Sequence, residues 1–107
     1  MLYTRVRNGI LFFVLEGDVD EGIINTFNDE IDYMLYKQGI NYFAFNFNNV
    51  LNFNNMFVEM FQNKLVEIFL RCGKVALYGI NRKLIGNRKD SLFYVDNQKE
   101  IDRLLSL

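Results

Sequence analysis

The chain has 107 residues and a formal net charge of −1, an amount of protein that fits one domain over residues 1–107. A chain this long buries roughly two-thirds of the surface its unfolded form exposes, so it needs neither a metal nor a disulfide to fold. It has no His, Pro or Trp and a single Cys, Cys72, which excludes Ser-His-Asp and Cys-His nucleophile pairs, His-ligated metals, Cys-x-x-Cys motifs and intrachain disulfides.

Leu2 to Arg7 reads as a strand leading into Asn8-Gly9, a dipeptide suited to the positive φ angles of a tight hairpin turn. Ile10 to Leu15 is apolar throughout, the pattern of a strand covered on both faces. Asp18 or Asp20 then offers a helix cap. Between Glu21 and Gln38 the residues Ile23, Ile24, Phe27, Ile31, Met34 and Leu35 follow helical spacing, with Gly39 just past the end. A third strand, Ile40 to Phe47, is rich in aromatics, and an Asn-rich loop is expected from Asn48 to Asn55. A second helix runs from about Met56 to Cys72, closed by Gly73, followed by a strand from Lys74 to Tyr78 and a short polar helix or turn from Asn81 to Lys89. Ser91 to Val95 reads as the last strand. A terminal helix follows, capped by Asp96 or Asn97, with Ile101, Leu104 and Leu105 on one face. The order β-β-α-β-α-β-α-β-α predicts an α/β fold. Its central sheet is mixed, opened by a hairpin and continued through right-handed parallel crossovers, with helices packed against it on both sides.

Half the residues are apolar, the profile of a soluble globular protein. The longest unbroken apolar run, Ile10 to Leu15, is far short of a membrane span. Arg5 and Arg7 before that run imitate a secretion signal faintly, but Glu16-Gly-Asp-Val-Asp20 follows at once without a small-residue cleavage site. A cytoplasmic location is the expectation. The balanced charge exerts no global pull towards nucleic acid.

Two stretches carry a resemblance. Leu15-Glu-Gly-Asp-Val-Asp20 is similar to the strand-end pattern apolar-x-Gly-acidic-apolar-Asp that opens the first helix of the STAS domain, the fold of bacterial anti-sigma factor antagonists. Phe43 to Phe47, Asn49-Val50 and Phe53-Asn54-Asn55 resemble that family's third strand and the Asp-Ser signature before its second helix. The resemblance implies a regulatory protein-binding role and no enzymatic activity. In the family, a partner kinase that is also an anti-sigma factor phosphorylates the signature Ser or Thr, and the unphosphorylated form binds that kinase.

The departure from the family pattern is at the switch itself. The Asp falls on Asn54 and the phosphorylatable Ser on Asn55, while the small residues that usually follow become Met56 and Phe57. Outside Tyr the hydroxyl residues are Thr4, Thr26, Ser91 and Ser106, and none lies in this loop. Asn cannot accept a phosphate, and being neutral it imitates the unphosphorylated state. As local chemistry alone, Asn54-Asn55 is also a plain helix cap, in a sequence with Asn at fourteen positions.

The second helix, at about 100° per residue, separates two faces. Phe57, Phe61, Leu65, Ile68 and Cys72, flanked by Val58 and Phe69, form the expected core face, which makes Cys72 inert packing. Met56, Val66 and Leu70 lie instead among polar residues, beside Glu59 and Asn63. Single exposed apolar residues are ordinary, but three on one line suit a docking stripe. The expected partner-binding set is therefore Asp20, Asn54, Asn55, Met56, Glu59, Asn63, Val66 and Leu70, with Asp20 placed by the family resemblance and equally serviceable as an N-cap. The partner is a kinase-like or other regulatory protein, or a second copy in a homodimer, and no cofactor or metal is expected.

Other clusters carry less. Arg82, Lys83, Arg88 and Lys89 read as a solvated basic turn rather than an anion site. Asp18, Asp20 and Glu21 lack the further strand-end Asp that a Mg²⁺-binding receiver needs, since Asn46, Asn48 and Asn49 stand there. The alternatives to an antagonist-like module are a structural adaptor in a sensory or motility assembly, and a small nucleotide-binding domain.

Overall fold

The computed structural model describes residues 1–86, 91–97, 99–101 and 103. Arg88, Lys89, Leu104, Leu105 and Ser106, which figured in the expectations above, lie outside the described residues.

Five strands form one sheet in the order β1-β2-β3-β4-β5. They are β1 (Leu2–Arg7), β2 (Ile10–Asp18), β3 (Tyr42–Asn52), β4 (Lys74–Tyr78) and β5 (Leu92–Val95). The helices are α1 (Glu21–Asp32), α2 (Asn55–Leu70) and the short α3 (Arg82–Ile85), and residues 99–101 and 103 are helical after β5. β1 and β2 form the antiparallel hairpin; the other three pairs are parallel. Both turn residues take positive φ, 54° at Asn8 and 77° at Gly9, as a two-residue turn matched to strand twist demands.

The order decides where the helices go. Each parallel crossover moves one strand further in the same direction. A right-handed connection then puts α1, α2 and α3 on the same face. On that face Leu11, Phe13 and Leu15 of β2, Phe43, Phe45 and Phe47 of β3, and Val75 and Leu77 of β4 meet Phe27, Ile31, Phe57, Phe61 and Ile68. Aromatic rings dominate: Phe61 stands edge-on to Phe45 at 4.9 Å and 87°, and Phe57 edge-on to Phe47 at 5.6 Å and 89°, the geometry favoured by the ring quadrupole. Among the described residues the opposite face has a smaller cluster, in which Ile101 covers Phe12, Ala44 and Ala76. Both faces are covered, unequally so among the described residues.

Three elements differ from expectation. β3 runs on through the Asn-rich segment to Asn52, because β2 continues to Asp18 and offers it a parallel partner, with register shifts after Val14 and after Gly17. Pairing with β4 stops at Asn46, so beyond it β3 pairs with β2 alone, and Asn48, Asn49, Leu51 and Asn52 are exposed there. A polar run reads as loop because Asn is disfavoured in strands, a preference that weakens where side chains face water. The first helix widens after Asp32 into a π-helical turn, Tyr33–Lys37, in which the Gln38 N–H donates to the Tyr33 carbonyl at 3.2 Å. Finally, Cys72 is exposed rather than packed in the core. α2 ends at Leu70, and Cys72 turns away with φ 59°. Its N–H bonds the Phe69 carbonyl at 3.0 Å and the Gly73 N–H bonds the Ile68 carbonyl at 2.9 Å, a Schellman closure with Cys in the left-handed position usually held by Gly. Gly73 follows because a Cβ there would come within 2.5 Å of the Asn41 carbonyl.

Candidate partner-binding face

The candidate site is built from two helix starts tied together. At the first, Asp20 caps α1: its Oδ1 accepts from the Ile23 N–H at 2.8 Å. At the second, Asn54 caps α2, its Oδ1 accepting from the Phe57 N–H at 2.7 Å. The same Asn54 side chain reaches back to the first loop, where Nδ2 donates to the Val19 carbonyl at 3.0 Å. A carboxylate could cap but not donate, so an amide is the group that does both. Asp20 and Asn54 are thus brought to one end of the molecule. The extended ribbon of β2 and β3, closed by the Asp18–Asn52 pair, arrives at the same place.

Asn54 is half-buried and both ends of its amide are engaged. Asn55, the first helical residue, is exposed. Neither carries a hydroxyl, and the nearby hydroxyl of Thr26 donates to the Gly22 carbonyl at 3.0 Å within α1.

Along α2 the apolar line beside the polar residues is solvent-facing. Met56 is 56% exposed, Val66 41% and Leu70 79%, and Glu59 and Asn63 are exposed between them. Their spacing of three and four residues makes one ridge. Grooves flank it on both sides. One, between α1 and α2, is lined by Asn28, Met56, Glu59, Met60, Asn63 and Lys64 among others. The other is lined by Gln62, Asn63, Val66, Phe69 and Ile85, where α3 approaches. The Gln62 side-chain amide donates to the Leu84 carbonyl at 2.6 Å, which fixes α3 beside the second groove.

A charged clasp closes the lower end of the first groove. Lys64 bridges Asp32 at 2.6 Å and Glu67 at 2.8 Å. The Tyr36 hydroxyl, presented by the π-helical turn, donates to Glu67 at 2.5 Å, and the Arg71 guanidinium lies 4.4 Å from the Tyr36 ring centre. Burial disfavours the Lys64 charge, but its bonds to Asp32 and Glu67 outweigh that and raise its pKa. Burial likewise works against the Glu67 charge, and bonds from Lys64 and Tyr36 win, lowering it. The hydrogen bond to Glu67 raises the Tyr36 phenol.

One residue of this end escaped the sequence reading. Leu51, inside the expected loop, is 76% exposed at the tip of β3. Its signal was the Val50-Leu51 apolar pair within the Asn run, of which Val50 packs against the core and Leu51 does not.

No protein-family model and no curated relative matches the sequence. Solved structures do. The anti-sigma factor antagonist SpoIIAA in its unphosphorylated form superposes with a TM-score of 0.81 at 14% identity, covering 100% of both chains. This chain has the STAS fold of the anti-sigma factor antagonists. SpoIIAA from Bacillus, in its phosphorylated form, gives a TM-score of 0.78 at 15% identity over 97% of this chain and 99% of that one. A Thermotoga maritima protein described as an anti-sigma factor antagonist gives 0.77 at 13% identity over 99% and 95%. Identities this low establish the shared fold. In this chain Asn54 and Asn55 stand at the start of α2. The exposed residues Met56, Val66 and Leu70 lead along α2 from that start. Among the described residues, no helix is long and apolar enough to cross a membrane.

Proposed function

We propose that this chain is a non-enzymatic, cytoplasmic protein-binding domain of the anti-sigma factor antagonist type, in which the phosphorylation switch is absent. The exposed ridge of α2 carries this reading: Met56, Val66 and Leu70 face solvent on one line that begins at the capped loop. An adaptable Met and two aliphatic side chains, with Glu59 and Asn63 between them, suit a protein surface. The binding set is Asp20, Asn54, Asn55, Met56, Glu59, Asn63, Val66 and Leu70. Within it Asp20 and Asn54 act mainly by holding the helix starts, and Asn55 and the ridge make the contacts. The STAS fold shared with SpoIIAA, solved in phosphorylated and unphosphorylated forms, supports the regulatory class. The partner is a regulatory protein of the kinase-like, anti-sigma kind. With Asn at both signature positions, binding is constitutive or controlled by other means, because no hydroxyl between positions 48 and 57 can take a phosphate.

The test is capture from cells with the tagged chain, beside a Glu59→Lys/Val66→Asp variant, with intact-mass analysis of the recovered protein. The expected result is a regulatory partner held by the wild type and lost by a variant that melts at the wild-type temperature, with no phosphate on residues 48–57. Equal capture by both proteins, or phosphate mapped to that segment, contradicts the proposal.

A further inference from the structure

The face of the sheet opposite α1 and α2 has a cavity that the partner-binding reading does not use. Its origin is the strand order, which leaves that face to the helical residues after β5. In the two central strands Ala44 stands beside Ala76, and the flanking positions are Phe12 on β2 and Phe93 on β5. Two methyl groups between two benzyl groups make a trough. Ile101 fills it over Phe12, Ala44 and Ala76. Next to that plug the trough continues as a cavity of about 450 Å³ lined by Ile10, Tyr42, Ala44, Lys74, Ala76 and Phe93, with Asn8 and the backbone of β3 and β4 completing it. That size lies within the roughly 300–1,000 Å³ of small-molecule sites. Tyr42 is 44% exposed and Phe93 46%, so aromatic walls open to solvent.

The charged side chain described in the lining is a cation. Lys74 lines the cavity, and among the described residues no acidic side chain does. Arg7 stands opposite Ile10 in the hairpin register, on the same face. Among the described residues, neither Lys74 nor Arg7 takes part in an ion pair. An apolar trough with the Lys74 ammonium in its lining, and Arg7 on the neighbouring strand, complements a molecule that is aliphatic along its length and anionic at one end. We propose that this cavity binds a medium-chain aliphatic carboxylate. Its chain lies along Ile10, Ala76 and the Tyr42 and Phe93 rings, and its carboxylate pairs with Lys74.

Decanoate, kept below its micelle concentration, is the probe, titrated into the whole chain and followed by amide chemical shifts. Saturable shifts are expected at Ile10, Tyr42, Lys74, Ala76 and Phe93. Decyltrimethylammonium should bind at least about tenfold more weakly, the factor that one charged hydrogen bond is worth. Lys74→Glu, a change at an exposed side chain, should weaken decanoate by a similar factor and leave binding of neutral decanol unchanged. Its own amide spectrum away from residue 74 reports that the fold is kept. Absence of saturation, shifts centred on α2, equal binding of the cationic amphiphile, or indifference to Lys74→Glu would each overturn the proposal.

Discussion

Asn54 does two structural jobs with one amide, and its substitution separates them. Asn54→Ala removes the cap on Phe57 and the bond to the Val19 carbonyl. The expected loss is about 2 kcal/mol, the sum of a typical cap and a typical hydrogen bond. Asn54→Asp keeps the cap and gains from the positive end of the helix, but leaves the Val19 carbonyl, on a buried residue, without its donor. A loss of about 1 kcal/mol is expected, smaller than for Ala. Urea denaturation of the two variants measures both, and an Asp variant as unstable as the Ala variant would remove the cap from this account. Caps are the part of the site that single residues reveal. Asp20 and Asn54 each stand just ahead of a helical apolar pattern, where an acceptor is needed. The bridge from Asn54 to Val19 was not visible in the sequence, since it joins residues 35 apart. Cys72 fails for the opposite reason: helical periodicity carries it onto the core face, whereas the left-handed turn that removes it is a backbone choice with no periodic trace.

At the scale of elements, the clasp between the π-helical turn and α2 should make the pairing of the first two helices depend on pH. Glu67 has a lowered pKa in the folded chain. Its contribution is therefore present above the ordinary value of 4.5 and is lost as pH falls through the lowered one. Lys64 has a raised pKa, so its contribution is present below the ordinary 10.5 and is lost as pH rises through the raised one. Tyr36, also raised, adds to the alkaline loss. Lys64→Met should flatten the acid limb of melting temperature against pH. A variant with the wild-type acid limb would show that the clasp contributes nothing to it. The helices themselves were readable as amphipathic patterns because a buried stripe repeats every turn. The π-helical turn was not, because Met34 and Leu35 keep the apolar spacing while the backbone widens around them. The extension of β3 was missed because its polar side chains face water, and only the partner strand β2 makes it a strand.

Among the described residues the molecule is an unequal sandwich, with three crossover helices on one face of the sheet and helical residues 99–101 and 103 on the other. The two faces should therefore answer differently to truncation. Phe45→Ala, at a side chain of 0% exposure ringed by other Phe residues, should cost about 3–5 kcal/mol. Phe93→Ala, on the open face, should cost under about 1 kcal/mol. Equal losses in urea denaturation would mean that the second face holds the fold as strongly as the first. The α/β class and the element order were open to the sequence because alternating strand and helix periods survive in single segments. Which face each helix covers follows only from strand order, and strand order is a long-range fact. The α2 ridge lies between these cases. Its exposure was predicted from the helical wheel, and the flanking grooves emerged only from the packing of α1 and α3 beside it.

The proposed function requires that the α2 ridge bind a regulatory partner without a phosphate switch. The most direct measurement is the affinity of the purified captured partner for the wild-type chain and for Glu59→Lys/Val66→Asp, in the presence and absence of ATP. Lys74→Glu on the opposite face serves as the control. The prediction is binding by the wild type and the control that ATP does not change, and loss of about a hundredfold or more in the double variant, as expected when apolar and charged contacts of an interface centre are removed together. A double variant that folds and binds with wild-type affinity would contradict it.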